Sequence, residues 1–170
     1  MAATPRDIAE ALKSAVQTER DGYHFYMMAA SSTEDAQGKQ VFQTLAREEQ
    51  EHARYLAAHY KALTETGKPD PSVRLGARAE LSPENPIFSP ALRARAAQAH
   101  YEMTALSVGM QLEQASVAFY RDLAAKTQDP GLVAFLEELA LWEEGHFEAL
   151  RRQHELLRDD YYADGGFARF

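Results

Sequence analysis

The sequence predicts an all-α fold, a four-helix bundle built from two repeated antiparallel helical hairpins with one long crossover. Three observations lead there. Helix formers (Ala, Leu, Glu, Gln, Arg and Met) dominate the chain on either side of one irregular stretch. Five of the seven prolines gather in that stretch, between Pro69 and Pro90, together with Gly67 and Gly76. The chain also repeats itself. Shifted by 94 residues, positions 7–63 align with 101–157 without a gap, and 15 of 57 are identical. Typical compositions would give about four by chance.

Each element has a local cause. Thr4 reads as an N-cap, with Pro5 at the first helical position and Asp7 three residues after the cap. The first helix runs from there to about residue 31. A short Ser/Thr/Asp loop leads into a second helix, about 36–64, which completes hairpin 4–64. Residues 65–88 form the crossover linker. Ser89-Pro90 repeats the cap-and-proline signal and predicts a third helix running to about residue 127. Asp129-Pro130 opens a fourth, to about 158, and closes hairpin 89–158. The bundle thus occupies 1–158. The tail, 159–170, carries two adjacent glycines and several aromatics and is expected to be irregular. Val and Ile are scarce and nothing alternates with period two, so no strand is expected. The short loop in each hairpin makes its helices antiparallel, and the long linker spans the bundle once.

Composition narrows the function. A chain of 170 residues with 45% hydrophobic and 26% charged residues can bury the core of one globular domain. The absence of cysteine excludes disulfides, thiolate zinc sites, iron–sulfur clusters and a catalytic thiol. A net charge of −8 with no basic block argues against a nucleic-acid partner. No apolar run reaches the length of a membrane span. The start, Met1-Ala2-Ala3-Thr4-Pro5, lacks the pattern of a signal peptide, so the cytoplasm is the expected location.

The chemistry lies at the middle of each apolar seam. Glu19 and Glu113 are repeat equivalents, and so are Glu49-x-x-His52 and Glu143-x-x-His146. A spacing of three puts Glu and His on one helix face, one turn apart. Four carboxylates converging in a dry core cannot all ionise unpaired, because desolvation costs several kcal/mol per charge. Two divalent metals would supply the matching positive charge, with two neutral imidazoles completing the donor set. Mixed O/N donors suit iron or manganese. One Glu from each of two helices and Glu-x-x-His from the other two is the ligand plan of di-iron carboxylate bundles. Glu49 is chosen over Glu48 and Glu51 because positions 48 and 51 align with Trp142 and Gly145. Tyr26 and Tyr120, two turns along from Glu19 and Glu113, read either as hydrogen-bond partners of ligand carboxylates or as core tyrosines with a satisfied hydroxyl. His59 is expected to be a polar residue near the bundle end, and Glu102 to be solvated at the bundle mouth. His24, His100 and His154 are expected to face solvent, and Tyr161 and Tyr162 to pack over a bundle end.

These segments resemble the ferritin-like superfamily, and within it the rubrerythrin branch. The resemblance rests on Glu19-Arg-Asp-Gly-Tyr-His-Phe-Tyr26, Ala46-Arg-Glu-Glu-Gln-Glu-His52, Glu113-x6-Tyr120 and Trp142-Glu-Glu-Gly-His146, and covers about residues 5–158. It implies a ferritin-like bundle holding two iron ions, with Glu19, Glu49, His52, Glu113, Glu143 and His146 as ligands and manganese as the alternative metal. It also implies reduction of hydrogen peroxide, or oxidation of ferrous iron with oxygen as related branches do. The chain departs from that family in two respects. Full-length rubrerythrins carry a rubredoxin-like tetrathiolate iron centre, and a cysteine-free chain holds none. Electrons would then come from an external donor protein such as a rubredoxin or a reductase. Rubrerythrins also resemble one another in an extra glutamate one turn after the ligand of the third helix, here Glu113, where this chain has Ser116, the repeat partner of Gly22. The small residues are expected to leave open space beside the metals. The leading expectation is a di-iron oxidoreductase reducing hydrogen peroxide. A ferroxidase or iron-handling protein and a structural metal-binding bundle without turnover are the alternatives. A homodimer formed by exchanging a hairpin through the linker is compatible with the sequence.

Overall fold

The computed structural model describes residues 4–76 and 86–164. Helix α1 spans Pro5–Ser32, α2 Ala36–Thr66, α3 Pro90–Arg93, α4 His100–Ala125 and α5 Pro130–Asp164, with a 3₁₀ turn at Ala96–Gln98 before α4. No described residue lies in a strand. The four long helices are the expected all-α bundle. The α1–α2 and α4–α5 hairpins each pack closely, and α1 also touches α4.

The starts and stops follow from local chemistry. Thr4 and Asp7 exchange side-chain and backbone hydrogen bonds in a capping box at the head of α1. Asp35 caps α2 by accepting from the Gly38 N–H at 2.8 Å. Asp129 does the same for α5, accepting from the Gly131 and Leu132 N–H groups at 2.8 and 3.0 Å. The duplication reaches into the turns. The Asp35 N–H donates to Thr33 Oγ1 and the Asp129 N–H to Thr127 Oγ1, each at 3.2 Å. Helix α2 stops at Gly67, whose φ of 74° is left-handed and therefore suits glycine.

Two apolar clusters fill the bundle, one toward each end. The first joins Ile8 and Leu12 of α1, Leu56 and Leu63 of α2, Leu123 of α4 and Leu136 and Leu139 of α5. The second joins Tyr26 and Ala29, Phe42 and Leu45, Leu106, and Leu150 and Leu157 of the same four helices. Helices α1 and α5 therefore run parallel, and α2 and α4 run against them. The crossover traverses the length of the bundle: Val73 and Leu75 pack on the first cluster, whereas Ile87 and Phe88 are buried in the second.

Three expectations change. The Ser89-Pro90 cap is formed, with the Leu92 N–H bonded to Ser89 Oγ, but its helix lasts only one turn and α4 begins at His100. Thr33, in the α1–α2 turn, bonds Glu102, so the first turn of α4 is already level with the end of the bundle. Ten more helical residues before His100 would project about 15 Å beyond it. Folding back instead buries Leu92, Ala96 and Ala99 in the second cluster. A cap fixes where a helix starts and says nothing of how far it runs. The tail is not irregular from 159: α5 continues to Asp164, with Arg93 paired to Asp160 at 2.6 Å and Tyr161 against the second cluster. Residues 165–170, with both tail glycines, lie outside the described residues. Glu102 is buried, not solvated, because the Thr33 hydroxyl donates to it at 2.8 Å.

A methyl group on Gly38 would come within 2.6 Å of Phe88 Cε1. Gly38→Ala should therefore lose about 1–3 kcal/mol of unfolding free energy through overpacking, although alanine is the better helix former. Urea denaturation measures it. Stability equal to or above wild type would contradict the docking of the crossover onto α2.

Candidate metal centre

Between the two apolar clusters lies a polar layer. Helix α1 contributes Glu19, α2 Glu49 and His52, α4 Glu113, and α5 Glu143 and His146, and all six are buried. They form two overlapping groups. Glu19, Glu49, His52 and Glu143 each offer a ligand atom within 4.8 Å of the others, and so do Glu49, Glu113, Glu143 and His146. Glu49 and Glu143 belong to both. Glu19 and His52 sit on one side of this shared pair, and Glu113 and His146 on the other. The two imidazoles face each other nearly parallel, with ring centroids 5.6 Å apart.

The inner atoms converge without ordinary hydrogen-bond partners. His52 Nδ1 lies 2.9 Å from Glu143 Oε1 and 3.6 Å from Glu19 Oε2. His146 Nδ1 lies 3.4–3.6 Å from Glu49, Glu113 and Glu143. Glu19 Oε2, Glu49 Oε1, both Glu143 oxygens and both Nδ1 atoms are buried and make no well-aligned hydrogen bond. Such atoms are expensive in a protein interior unless something satisfies them. Carboxylate oxygens and imidazole nitrogens gathered in two overlapping groups are the hard and intermediate donors that suit divalent iron or manganese, so the residues present fit a metal pair. Among the described residues no Lys or Arg is buried, so no permanent cation of the chain neutralises the cluster.

The electrostatics carry the same message. Burial pushes the Glu49 carboxyl well above its ordinary range, and Glu143, Glu113 and Glu19 push it further. Burial also raises Glu113, to about 7, with His146 opposing the rise. Burial alone would drive both histidines down, yet Glu143 raises His52 and Glu113 raises His146 well above the ordinary imidazole value. For Glu143, burial is outweighed by His52 and His146, and the carboxyl is held below its usual range. The cluster draws in positive charge wherever it is offered.

The outer atoms are anchored. Tyr26 donates its hydroxyl to Glu113 Oε1, and Tyr120 donates to Glu19 Oε1. Each tyrosine serves the glutamate of the other hairpin, and each carboxylate keeps its second oxygen for the interior. Tyr26 and Tyr120 are core residues of the two apolar clusters, and each hydroxyl is satisfied by one of these glutamates. Gly22 is explained differently from the expectation. A Cβ there would meet Glu49 Oε2 at 3.0 Å, so the small residue makes room for Glu49 itself and leaves no open space beside it. Ser116 is half-buried.

Sequence reasoning missed Glu48. It is buried, and its Oε2 lies 2.6 Å from His146 Nε2, the outer nitrogen of that ring. The repeat concealed it, because the equivalent residue is Trp142. Away from the centre, His59 is buried near the first apolar cluster, stacked on Phe135 with centroids 4.4 Å apart, and lies outside both donor groups. His24 and His100 are exposed, and His154 is half-buried. Tyr161 packs on the second cluster, whereas Tyr162 is exposed.

A duplicated, carboxylate-rich helical bundle with two mid-core donor groups defines the ferritin-like class. Within it, the chain belongs to the rubrerythrin family, whose family model matches residues 10–154. No curated protein and no solved structure matches the chain. No described helix is long and apolar enough to cross a membrane.

Ligand binding to the folded state alone raises stability by about 2.7 kcal/mol at a hundredfold excess over Kd. Two equivalents of Fe(II) or Mn(II) added anaerobically should therefore raise the melting temperature by about 5–10 °C, and a chelator should reverse it. Calorimetry showing no shift would contradict the centre.

Proposed function

We propose that this protein is a di-iron oxidoreductase that reduces hydrogen peroxide with electrons from an external donor. The observation that carries the reading is the pair of buried donor groups sharing Glu49 and Glu143. On this reading Glu49 and Glu143, which belong to both groups, would help to hold both ions, with Glu19 and His52 holding one and Glu113 and His146 the other. Two reduced ions, when bound, supply the two electrons that, with two protons, turn one peroxide into two waters.

The chain's own residues set the stage for that exchange. Tyr26 and Tyr120 each hold one oxygen of a terminal glutamate, which keeps the remaining oxygen aimed inward. The apolar clusters above and below keep bulk water from the layer and strengthen every electrostatic contact inside it. Gly22 lets Glu49 lie close against α1. The 170 residues contain no cysteine and so supply no thiolate electron relay of their own; on this reading the electrons come from an external donor such as a rubredoxin or a reductase.

One observation favours a second reading, oxidation of Fe(II) by oxygen. Ser116 occupies the position where rubrerythrins resemble one another in an additional glutamate, which restricts the donors to six.

Metal counting tests the ligand roles. Wild type should bind two irons per chain and Glu113→Ala one, while Glu143→Ala, which removes a shared carboxylate, should bind none. All variants should keep their helical circular dichroism. Two irons in Glu113→Ala would refute the assignment. Stopped-flow oxidation of the diferrous protein tests the reaction. Faster oxidation by peroxide than by oxygen supports the peroxide reading, and faster oxidation by oxygen with turnover of added Fe(II) supports the second. No optical change with either oxidant would contradict both.

A further inference from the structure

The two halves of the centre have matching donors but unequal surroundings. Position 48 and its repeat equivalent, 142, sit behind the opposite hairpin's histidine. On one side Glu48 Oε2 lies 2.6 Å from His146 Nε2, and both groups are buried. On the other side Trp142 stands edge-on to His52, with ring centroids 5.3 Å apart and planes at 86°. The outer nitrogen of His52 has no hydrogen-bond partner, although the side chain is fully buried. A glutamate therefore backs one imidazole, where an aromatic ring backs its twin.

This difference acts directly on metal binding. A ring nitrogen binds a metal through its lone pair, so the proton must reside on the other nitrogen. A carboxylate acceptor at Nε2 holds the proton there, leaves the Nδ1 lone pair facing Glu49, Glu113 and Glu143, and raises the basicity of that lone pair. For His52 no acceptor fixes the proton on the outer nitrogen, so its inward Nδ1 is not committed to the metal-binding form. The acceptor also anchors the His146 ring from its outer edge, whereas the His52 ring has a polar contact only on its inner side, to Glu143 at 2.9 Å.

We infer that Glu48 is a positioning residue that makes the two metal sites unequal, so that the site built by Glu113 and His146 binds its ion first and more tightly than the site built by Glu19 and His52. The inference rests on the dinuclear reading of the six donors. It separates the roles of the two ions. The more tightly held ion is the resident one, and the one beside Trp142 exchanges more readily.

The test uses Co(II) as the probe, in the full chain. Crystals grown with one equivalent of Co(II) per chain are measured by anomalous diffraction. In wild type the anomalous peak should concentrate among Glu49, Glu113, Glu143 and His146. In Glu48→Leu the preference should vanish or reverse, with affinity at that site falling about 10–100-fold and the other site unaffected. Glu48→Gln keeps an acceptor but removes the charge, so it should fall between the two, and it serves as the readout should the leucine variant fold poorly. Trp142→Phe should keep the wild-type order. Equal peaks in wild type, or a wild-type order preserved in both Glu48 variants, would overturn the inference while leaving the dinuclear centre intact. Failure of wild type to bind Co(II) at all would overturn the dinuclear reading, and this inference with it.

Discussion

Bringing Glu19, Glu49, Glu113 and Glu143 within reach of one another inside a helical bundle is costly, because several kcal/mol of desolvation attend each buried charge. The bundle is arranged around that constraint. Apolar clusters at both ends clamp the four helices and hold the polar layer closed. Two tyrosines satisfy the outer oxygens of two carboxylates. Two histidines are the nearest groups able to take up positive charge, and the carboxylates raise both of them above the ordinary imidazole value. A pair of divalent cations would relieve the whole layer at once, which is why the site is best understood through its charge balance.

Duplication explains how one sequence places six such groups in register. Each hairpin carries one glutamate and one Glu-x-x-His at the same depth, and the Thr-x-Asp turns of both hairpins are built alike. The tyrosines pair across the halves, Tyr26 with Glu113 and Tyr120 with Glu19, so neither hairpin completes its own site. The shared glutamates, Glu49 and Glu143, likewise come one from each hairpin. A crossover that runs the length of the bundle is the connection this arrangement needs, since it sets α1 and α5 parallel while keeping both hairpins antiparallel. Divergence after duplication then shows where equivalence was given up: Gly22 against Ser116, and Glu48 against Trp142.

Much of this was legible in the residues. The helical hairpins, their caps and the six central donors could be read because each signal appears twice at a fixed offset, and chance rarely repeats a pattern of that length. The same reliance on repetition hid Glu48, whose importance lies in having no equivalent. The start of α4 is not legible locally, because Ser89-Pro90 is a sound cap, whereas the length of a helix depends on where the rest of the bundle ends. The burial of Glu102 is not visible in the sequence, because its partner, Thr33, lies in a turn whose position only the packed fold reveals. The role of Gly22 was visible only once the Glu49 carboxylate was seen against it. Local chemistry is written in the sequence, and contacts across helices are not.

The central claim is that the polar layer is a dinuclear metal site. Iron-edge X-ray absorption of protein loaded anaerobically with two Fe(II) per chain tests it most directly. The account predicts a first shell of oxygen and nitrogen only, without sulfur, and a second iron at the spacing common to paired metal sites, about 3.5–4 Å. A first shell without an iron neighbour at full loading, or iron held only at the exposed surface, would contradict it.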